Sequence, residues 1–271
     1  LGDLWILGKH RIVCGDSTQP ETYELLMDGE KANLLLTDPP YNVDVEGGRG
    51  LKIANDNMLD AAFDDFLGKA FKCAAASLKP GGAFYVFHAN WTQRAFENAM
   101  NSAGLAFRQQ LVWAKETLVV GWQDYQWNHE PCFYGWKDGA AHSWYGDRSQ
   151  TTVMEFNKPK KNDLHPTMKP VEMLVYLIGN SSKRGGIVLD TFGGSGSTLI
   201  ACERSGRVCR CVELDPKYCD VIRKRWAEFV HGEGCDWEQL TPKLDGTPSN
   251  HDTSSDTSSA PDAGESTHES A

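Results

Sequence analysis

Two short segments carry residues whose types and spacing suit catalysis. The first is Thr37-Asp38-Pro39-Pro40-Tyr41, directly after the apolar run Ala32–Leu36. The second is Asp190-Thr191-Phe192-Gly193-Gly194-Ser195-Gly196-Ser197-Thr198, directly after Gly186-Ile187-Val188-Leu189. In the first turn, two prolines fix the backbone and remove its donors. Asp38 and the Pro39 carbonyl are then rigid acceptors near each other, and Tyr41 adds a flat face. An exocyclic amine on a planar ring offers two N–H donors, so two acceptors beside a stacking ring match it. The amine's lone pair is delocalised into the ring. Acceptors that draw the nitrogen toward tetrahedral geometry localise that pair, which is electrostatic preorganisation rather than deep proton abstraction. A proline-rich turn after a strand is the plain structural alternative.

Spacing separates the glycine segment from loops it superficially matches. A phosphate loop needs a Lys that is absent here. A dinucleotide loop needs a third glycine where Leu199 stands, and a nucleophile elbow needs a glycine where Ser197 stands. What remains is a strand, an acid at its end, a tight glycine turn and a helix. Asp190 can hold an amino group. Glu213 ends the next strand, 23 residues on, where an acid commonly holds ribose hydroxyls. The ligand implied is a nucleoside with an amine and no pyrophosphate. The plain alternative is a tight strand-to-helix turn with a capping Asp.

These segments need elements to position them. Strand patterns cover Arg11–Gly15, Ala32–Thr37, Ala83–His88, Phe107–Ala114, Glu130–Gly135, Gly186–Asp190 and Arg207–Glu213. Helical patterns cover Pro20–Asp28, Asp60–Leu78, Thr92–Ser102, Val171–Gly179, Ser197–Arg204 and Lys217–Val230. Lys79-Pro80-Gly81-Gly82 reads as the stop after the long second helix. Continuous apolar runs such as Ala32–Thr37 mark strands buried on both faces. The alternation predicts an α/β fold with a doubly wound, mostly parallel sheet. Two irregular stretches interrupt it, Asn42–Asn57 and Trp136–Asp163, the latter with Lys158, Lys160 and Lys161.

Taken together, the two loops resemble those of the amino-methylating DNA methyltransferases, the adenine-N6 and cytosine-N4 enzymes that use S-adenosylmethionine. The resemblance covers about residues 8–228. Asp38-Pro39-Pro40-Tyr41 matches the family's catalytic motif and Asp190–Gly196 its cofactor motif. The catalytic motif comes first, with His165-Pro166-Thr167-Met168-Lys169-Pro170 before the cofactor loop, an order similar to the circularly permuted β group. Cys14-Gly15-Asp16-Ser17 is a further match. The resemblance implies a Rossmann-like fold of the class I methyltransferase type, with S-adenosylmethionine as cofactor.

It also implies roles. Asp38 and the Pro39 carbonyl would accept from the target amine, with Pro40 fixing the turn and Tyr41 stacking on an extruded base. Asp190, Phe192, Gly194 and Thr198 would line the methionine side of the cofactor, with Asp38 bordering the same pocket. Glu213 would take the ribose hydroxyls and Asp16 the cofactor's adenine amine. His165, Thr167 and Lys169 would hold the methionine carboxylate. Asp in the first motif position favours adenine N6, by direct displacement without a covalent enzyme intermediate. Competing readings are cytosine N4, a non-catalytic DNA-binding relative, a dehydrogenase with a degenerate dinucleotide loop, and RNA or protein as acceptor. His129-Glu130 also resembles the family, without an assigned role.

Composition sets limits. The chain has 271 residues with net charge −10, and beyond Gly232 nine acids face only Lys243, so that the body is nearly neutral. An acidic total therefore does not exclude a polyanionic partner. Apolar residues make up 40%, enough for a sizeable core, and no run of about 18 apolar residues is present to cross a membrane. The eight cysteines form no C-x-x-C pair, so no metal site is expected and reduced thiols fit a cytoplasmic location, in a bacterium or a virus's host. Leu1 is not followed by a secretory leader, and the missing initiator Met suggests a processed chain or a segment of a longer protein. The expected organisation is a catalytic domain over 1–231, with a small target-recognition insert near 137–164, and an acidic, Ser/Thr-rich disordered tail over 232–271. The expected partner is DNA with its target base extruded, in a restriction-modification or viral setting, and a homodimer is left open. Aromatic residues near the second irregular stretch, among them Trp122 and Tyr125, are candidates to stack on bases.

Overall fold

The computed structural model describes residues 1–42, 57–119, 122, 124–157 and 168–244. Their strands are β1 (Leu4–Leu7), β2 (His10–Cys14), β3 (Ala32–Thr37), β4 (Leu78–Phe87), β5 (Phe107–Val119), β6 (Trp127–Trp136), β7 (Val153–Glu155), β8 (Ile187–Asp190) and β9 (Val208–Glu213). Their helices are α1 (Pro20–Met27), α2 (Asp60–Ser77), α3 (Gln93–Ser102), α4 (Val171–Ser181), α5 (Ser197–Ser205), α6 (Pro216–His231) and α7 (Trp237–Leu240). All nine strands join one sheet in the order β1-β2-β9-β8-β3-β4-β6-β5-β7. The five strands from β2 to β4 run parallel, while β1 and β6 run antiparallel to their inner neighbours.

The apolar run of β3 explains its central place. Leu34 and Leu36 point into a core built with α4, α5 and α6, and Leu35 points into a second core built with α1, α2 and α3. All three side chains are at most 1% exposed. Burying each contributes about 1.5–3 kcal/mol, so neither face of this strand tolerates a polar residue cheaply. From β3 the chain moves to β4 on one side, and from β8 to β9 on the other. The adjacent carboxyl ends of β3 and β8 therefore form the switch point where open α/β sheets bind ligands. That pairing bears out the doubly wound fold.

The structure departs from the sequence reading in several places. β1, β7 and α7 were not anticipated, being too short to show a period. Lys79-Pro80-Gly81-Gly82 does not sit between α2 and a later strand. It bulges within β4, where the pairing with β3 jumps from Ala32↔Leu78 to Leu34↔Ala83. β5 and β6 both extend past their expected ends toward a shared tip at the carboxyl edge of the sheet. The segment 232–244, expected within the tail, packs on the body. Thr241 is fully buried, and Trp5 bridges Lys243 on the outer side of β1. Arg223 holds this segment, lying 4.9 Å from the Trp5 ring and 4.8 Å from the Trp237 ring while donating to Thr241 Oγ1 at 2.9 Å. Residues 245–271 lie outside the described residues.

Candidate active site

The parallel register brings four predicted acids to neighbouring strand ends. Cys14 pairs with Glu213 and Asp190 with Cys211, so Asp16, Glu213, Asp190 and Asp38 follow one another along the carboxyl edge in the order β2, β9, β8, β3. Backbone bonds draw the tips together: Gly15 donates to the Glu213 carbonyl at 2.9 Å and Gly193 to the Val212 carbonyl at 2.9 Å.

Each acid is oriented by its own turn. Asp190 is 4% exposed and accepts from the Phe192 N–H and the Thr37 hydroxyl, both at 3.2 Å. Burial pushes its carboxyl up to about 7, against the pull of hydrogen bonds from Thr198, Phe192 and Thr37. Glu213 accepts from the Gly194 N–H at 2.7 Å and the Asp215 N–H at 2.9 Å, one on each oxygen. Burial raises its carboxyl as well, partly offset by those amides. Asp16 receives both the Thr18 N–H and the Thr18 hydroxyl on Oδ1, each at 2.8 Å.

The glycine turn is tight for a packing reason. A Cβ on Gly193 would stand 2.5 Å from the buried Cys211 sulfur, and Gly196 adopts φ +79° at the start of α5. Phe192 rests on Phe66, ring centroids 5.8 Å apart. Arg225, unmarked by any motif, braces the outside of the loop by donating to the Ser195 carbonyl at 2.9 Å.

Asp38 stands at the tip of β3, with side chain 27% exposed. The Tyr41 hydroxyl donates to its Oδ1 at 2.5 Å, and Lys169 donates to its Oδ2. Burial first, then the Asp38 charge, pushes the Tyr41 phenol up, so Tyr41 stays protonated and remains the donor. Its ring meets Phe96 edge-on at 6.3 Å. Asn42 follows in the left-handed region at φ +58° and bonds both backbone groups of Met58, fixing where the chain leaves and rejoins the turn.

Lys169, expected to hold the methionine carboxylate, lies beside Asp38. Its ammonium is held by two carboxylates, Asp38 and, at 3.1 Å, Glu130. Burial disfavours that ammonium, but the charges of Asp38 and Glu130 outweigh it and keep Lys169 above its ordinary value. Lys115 closes the chain on the other oxygen of Glu130. Burial would raise the Glu130 carboxyl, yet Lys169 and Lys115 bring it down to about 2. The sequence reading gave Glu130 and Lys115 no part. Their partnership comes from the antiparallel pairing of β5 with β6, which sets Trp113 opposite Glu130. His165 and Thr167, with Lys158, Lys160 and Lys161, lie outside the described residues.

Of the expected recognition insert, residues 137–145 lie at the amino edge of the sheet, opposite Asp38: Lys137 and Ser143 bond to Gly81, and Tyr145 bonds to Asn180. Residues 158–164 lie outside the described residues. The carboxyl edge is instead overhung by the β5–β6 hairpin, whose tip exposes Leu118, Trp122 and Tyr125.

Residues 32–224 match the N6/N4 family described as DNA methylase. The chain belongs to this DNA methylase family. It is 32% identical over 201 residues to "Putative methylase YubD" of Escherichia coli (strain K12), covering 73% of this chain and 83% of that one. It is 23% identical over 230 residues to the type II methyltransferase M.HpaI of Haemophilus parainfluenzae, covering 76% and 71%. Among solved structures, M1.HpyAVI in complex with SAM aligns at TM-score 0.59 and 21% identity, over 79% of this chain and 98% of that one. The cytosine-N4-specific PvuII DNA methyltransferase aligns at 0.62 and 16%, over 86% and 90%. In this methylase the Asp38 turn precedes the glycine turn along the chain, the order expected for the permuted group.

Proposed function

We propose that this DNA methylase acts on the exocyclic N6 amine of adenine, taking its methyl group from S-adenosylmethionine, with the target base swung out of the duplex to reach Asp38. The observation that carries the reading is the adjacency of the Asp38 turn on β3 and the Asp190 glycine turn on β8. The donor set suits the cofactor: Asp190 for an ammonium group, Glu213 for a ribose diol and Asp16 for a ring amine, in sequence along one edge.

Bound S-adenosylmethionine supplies an electrophilic methyl group on a positively charged sulfur. The chain's own part is positioning. Tyr41 and Lys169 fix the plane of the Asp38 carboxylate, which together with the Pro39 carbonyl accepts from the target N–H groups. Charge that develops on the amine nitrogen is stabilised by an acceptor already in place, without reorganisation. Asp38 is also the group placed to receive the proton that nitrogen must lose. The exposed tip of the β5–β6 hairpin, rather than residues 137–150, is suited to meet the duplex beside that base.

Cytosine N4 is the second reading, favoured by the likeness to the cytosine-N4-specific PvuII enzyme. Incubation with S-adenosylmethionine and unmethylated DNA, followed by mass analysis of nucleosides, tests both. N6-methyladenine is the expected product, and N4-methylcytosine would replace it with the second reading. Asp38→Ala is expected to lower transfer by at least about a hundredfold while cofactor still binds. A near-normal rate in that variant defeats the assigned role.

A further inference from the structure

We infer that Glu130 is a positioning residue: with Lys115 behind it, it shares the Lys169 ammonium so that Asp38 is oriented without being neutralised. The inference rests on the methyl-transfer reading above and assigns a part of that site to β5 and β6.

A lysine committed to Asp38 alone would cancel its charge and compete with the incoming amine for its lone pairs. Glu130 changes that balance. Its Oε2 lies 3.1 Å from the same ammonium, so Lys169 is divided between two carboxylates on different strands. Lys115 occupies the remaining oxygen of Glu130 and offsets the second negative charge. The row Asp38, Lys169, Glu130, Lys115 alternates in sign and sums to zero. Lys169 is only 5% exposed, a setting in which charge interactions are weakly screened.

Aromatic rings restrict where the ammonium can go. Phe87 lies 4.9 Å from it and Tyr41 5.6 Å. The ammonium's carboxylate neighbours are Asp38 and Glu130, and it also donates to the Tyr41 hydroxyl at 3.3 Å. A shift of Lys169 toward Glu130 loosens its hold on Asp38 Oδ2 and frees an acceptor for the target N–H.

The test compares Glu130→Gln, Glu130→Asp and Lys115→Met with wild type, following labelled methyl transfer into DNA and cofactor affinity by titration. Glu130→Gln keeps the shape and removes the charge. It is expected to lower kcat by roughly tenfold to a hundredfold, with cofactor Kd and the KM for DNA within about twofold. Glu130→Asp is expected to recover most of the loss, and Lys115→Met to show a smaller loss of the same kind. The proposal is overturned if Glu130→Gln retains kcat within about twofold, or if its cofactor affinity falls in parallel with kcat and Glu130→Asp gives no recovery. A second readout is independent of turnover. The slowly exchanging ammonium resonance of Lys169, assigned by its loss in Lys169→Met, is expected in wild type and absent in Glu130→Gln. Its persistence there overturns the proposal even if wild type methylates no DNA, which would instead count against the methyl-transfer reading.

Discussion

Thr37 and Thr191, joined through their hydroxyls at 2.9 Å, tie the tip of β3 to the tip of β8. Thr37 also donates to Asp190 Oδ1 at 3.2 Å and accepts from the Thr191 N–H at 3.3 Å. Both threonines are at most 2% exposed. The turn carrying Asp38 and the turn opening the glycine loop are thus one hydrogen-bonded unit, so a change in either is felt in the other.

Thr37→Val keeps the volume and deletes the hydroxyl, leaving Asp190 and Thr191 each short of a buried partner. A loss of about 1–3 kcal/mol in unfolding free energy is expected in urea titrations. Cofactor affinity and methyl transfer should both weaken, and Thr37→Ser should restore them. Loss of stability with unchanged affinity would show the two tips to be energetically separate.

Asp190 predicts a pH dependence. Its carboxyl is raised to about 7 by burial, so below that pH it is neutral and offers a ligand ammonium little attraction. Cofactor affinity is expected to rise between about pH 6 and 8, with proton release on binding seen by calorimetry in buffers of different ionisation enthalpy. Asp190→Asn should flatten that rise. For stability the sign is opposite. A folded state that holds this proton more tightly than the unfolded chain loses stability as pH climbs from the ordinary carboxylate range through about 7. A pH-independent affinity would remove Asp190 from the ammonium site.

The hairpin tip carries a prediction about DNA. Trp122 and Tyr125 are almost wholly exposed although large and apolar, and they stand at the edge that holds Asp38. Trp122→Ala and Tyr125→Ala should each raise the KM for DNA by about tenfold if a base stacks on the ring, without affecting cofactor affinity. Unaltered DNA binding in both variants would assign the tip to another task.

Arg223 links α6 to the segment beyond it. Arg223→Met removes its bonds to Thr241 and its position between Trp5 and Trp237. A loss of about 2–3 kcal/mol is expected, read as a lower thermal midpoint. Truncation after residue 231 should cost at least as much, and an unshifted midpoint would mean the segment is a passive attachment.

Much of the site was legible in the sequence because its chemistry is local. Asp38-Pro39-Pro40-Tyr41 and Asp190–Gly196 each compress a strand end and a ligand turn into a few residues, and the continuous apolar run of β3 reflects burial on both faces. Other parts depend on pairing between distant segments. Nothing local in His129-Glu130-Pro131 tells which lysines its carboxylate meets, since register between β5 and β6 and the entry of α4 decide that. Lys169 was expected at the site from its motif, and the carboxylates beside it are set by tertiary structure. The hold on residues 232–244 was hidden for a similar reason: an acidic segment running into a Ser- and Thr-rich end suggests a solvated tail, whereas Arg223, set between Trp5 and the segment's own Trp237, bonds Thr241 and binds it down.

The two margins of the sheet bear on self-association. One ends in the three-residue β7. The other ends in the four-residue β1, already met by Lys243 and by Leu244, whose N–H donates to the Leu4 carbonyl at 2.8 Å. Among the described residues the β1 margin presents no long ladder of open amides, so strand-to-strand annealing of copies along it, the usual route from a β-edge to fibrils, is disfavoured, whereas β7 covers only Val112–Ala114 of the thirteen-residue β5. Pairing of two copies through strands would therefore have to use the β5 margin rather than β1.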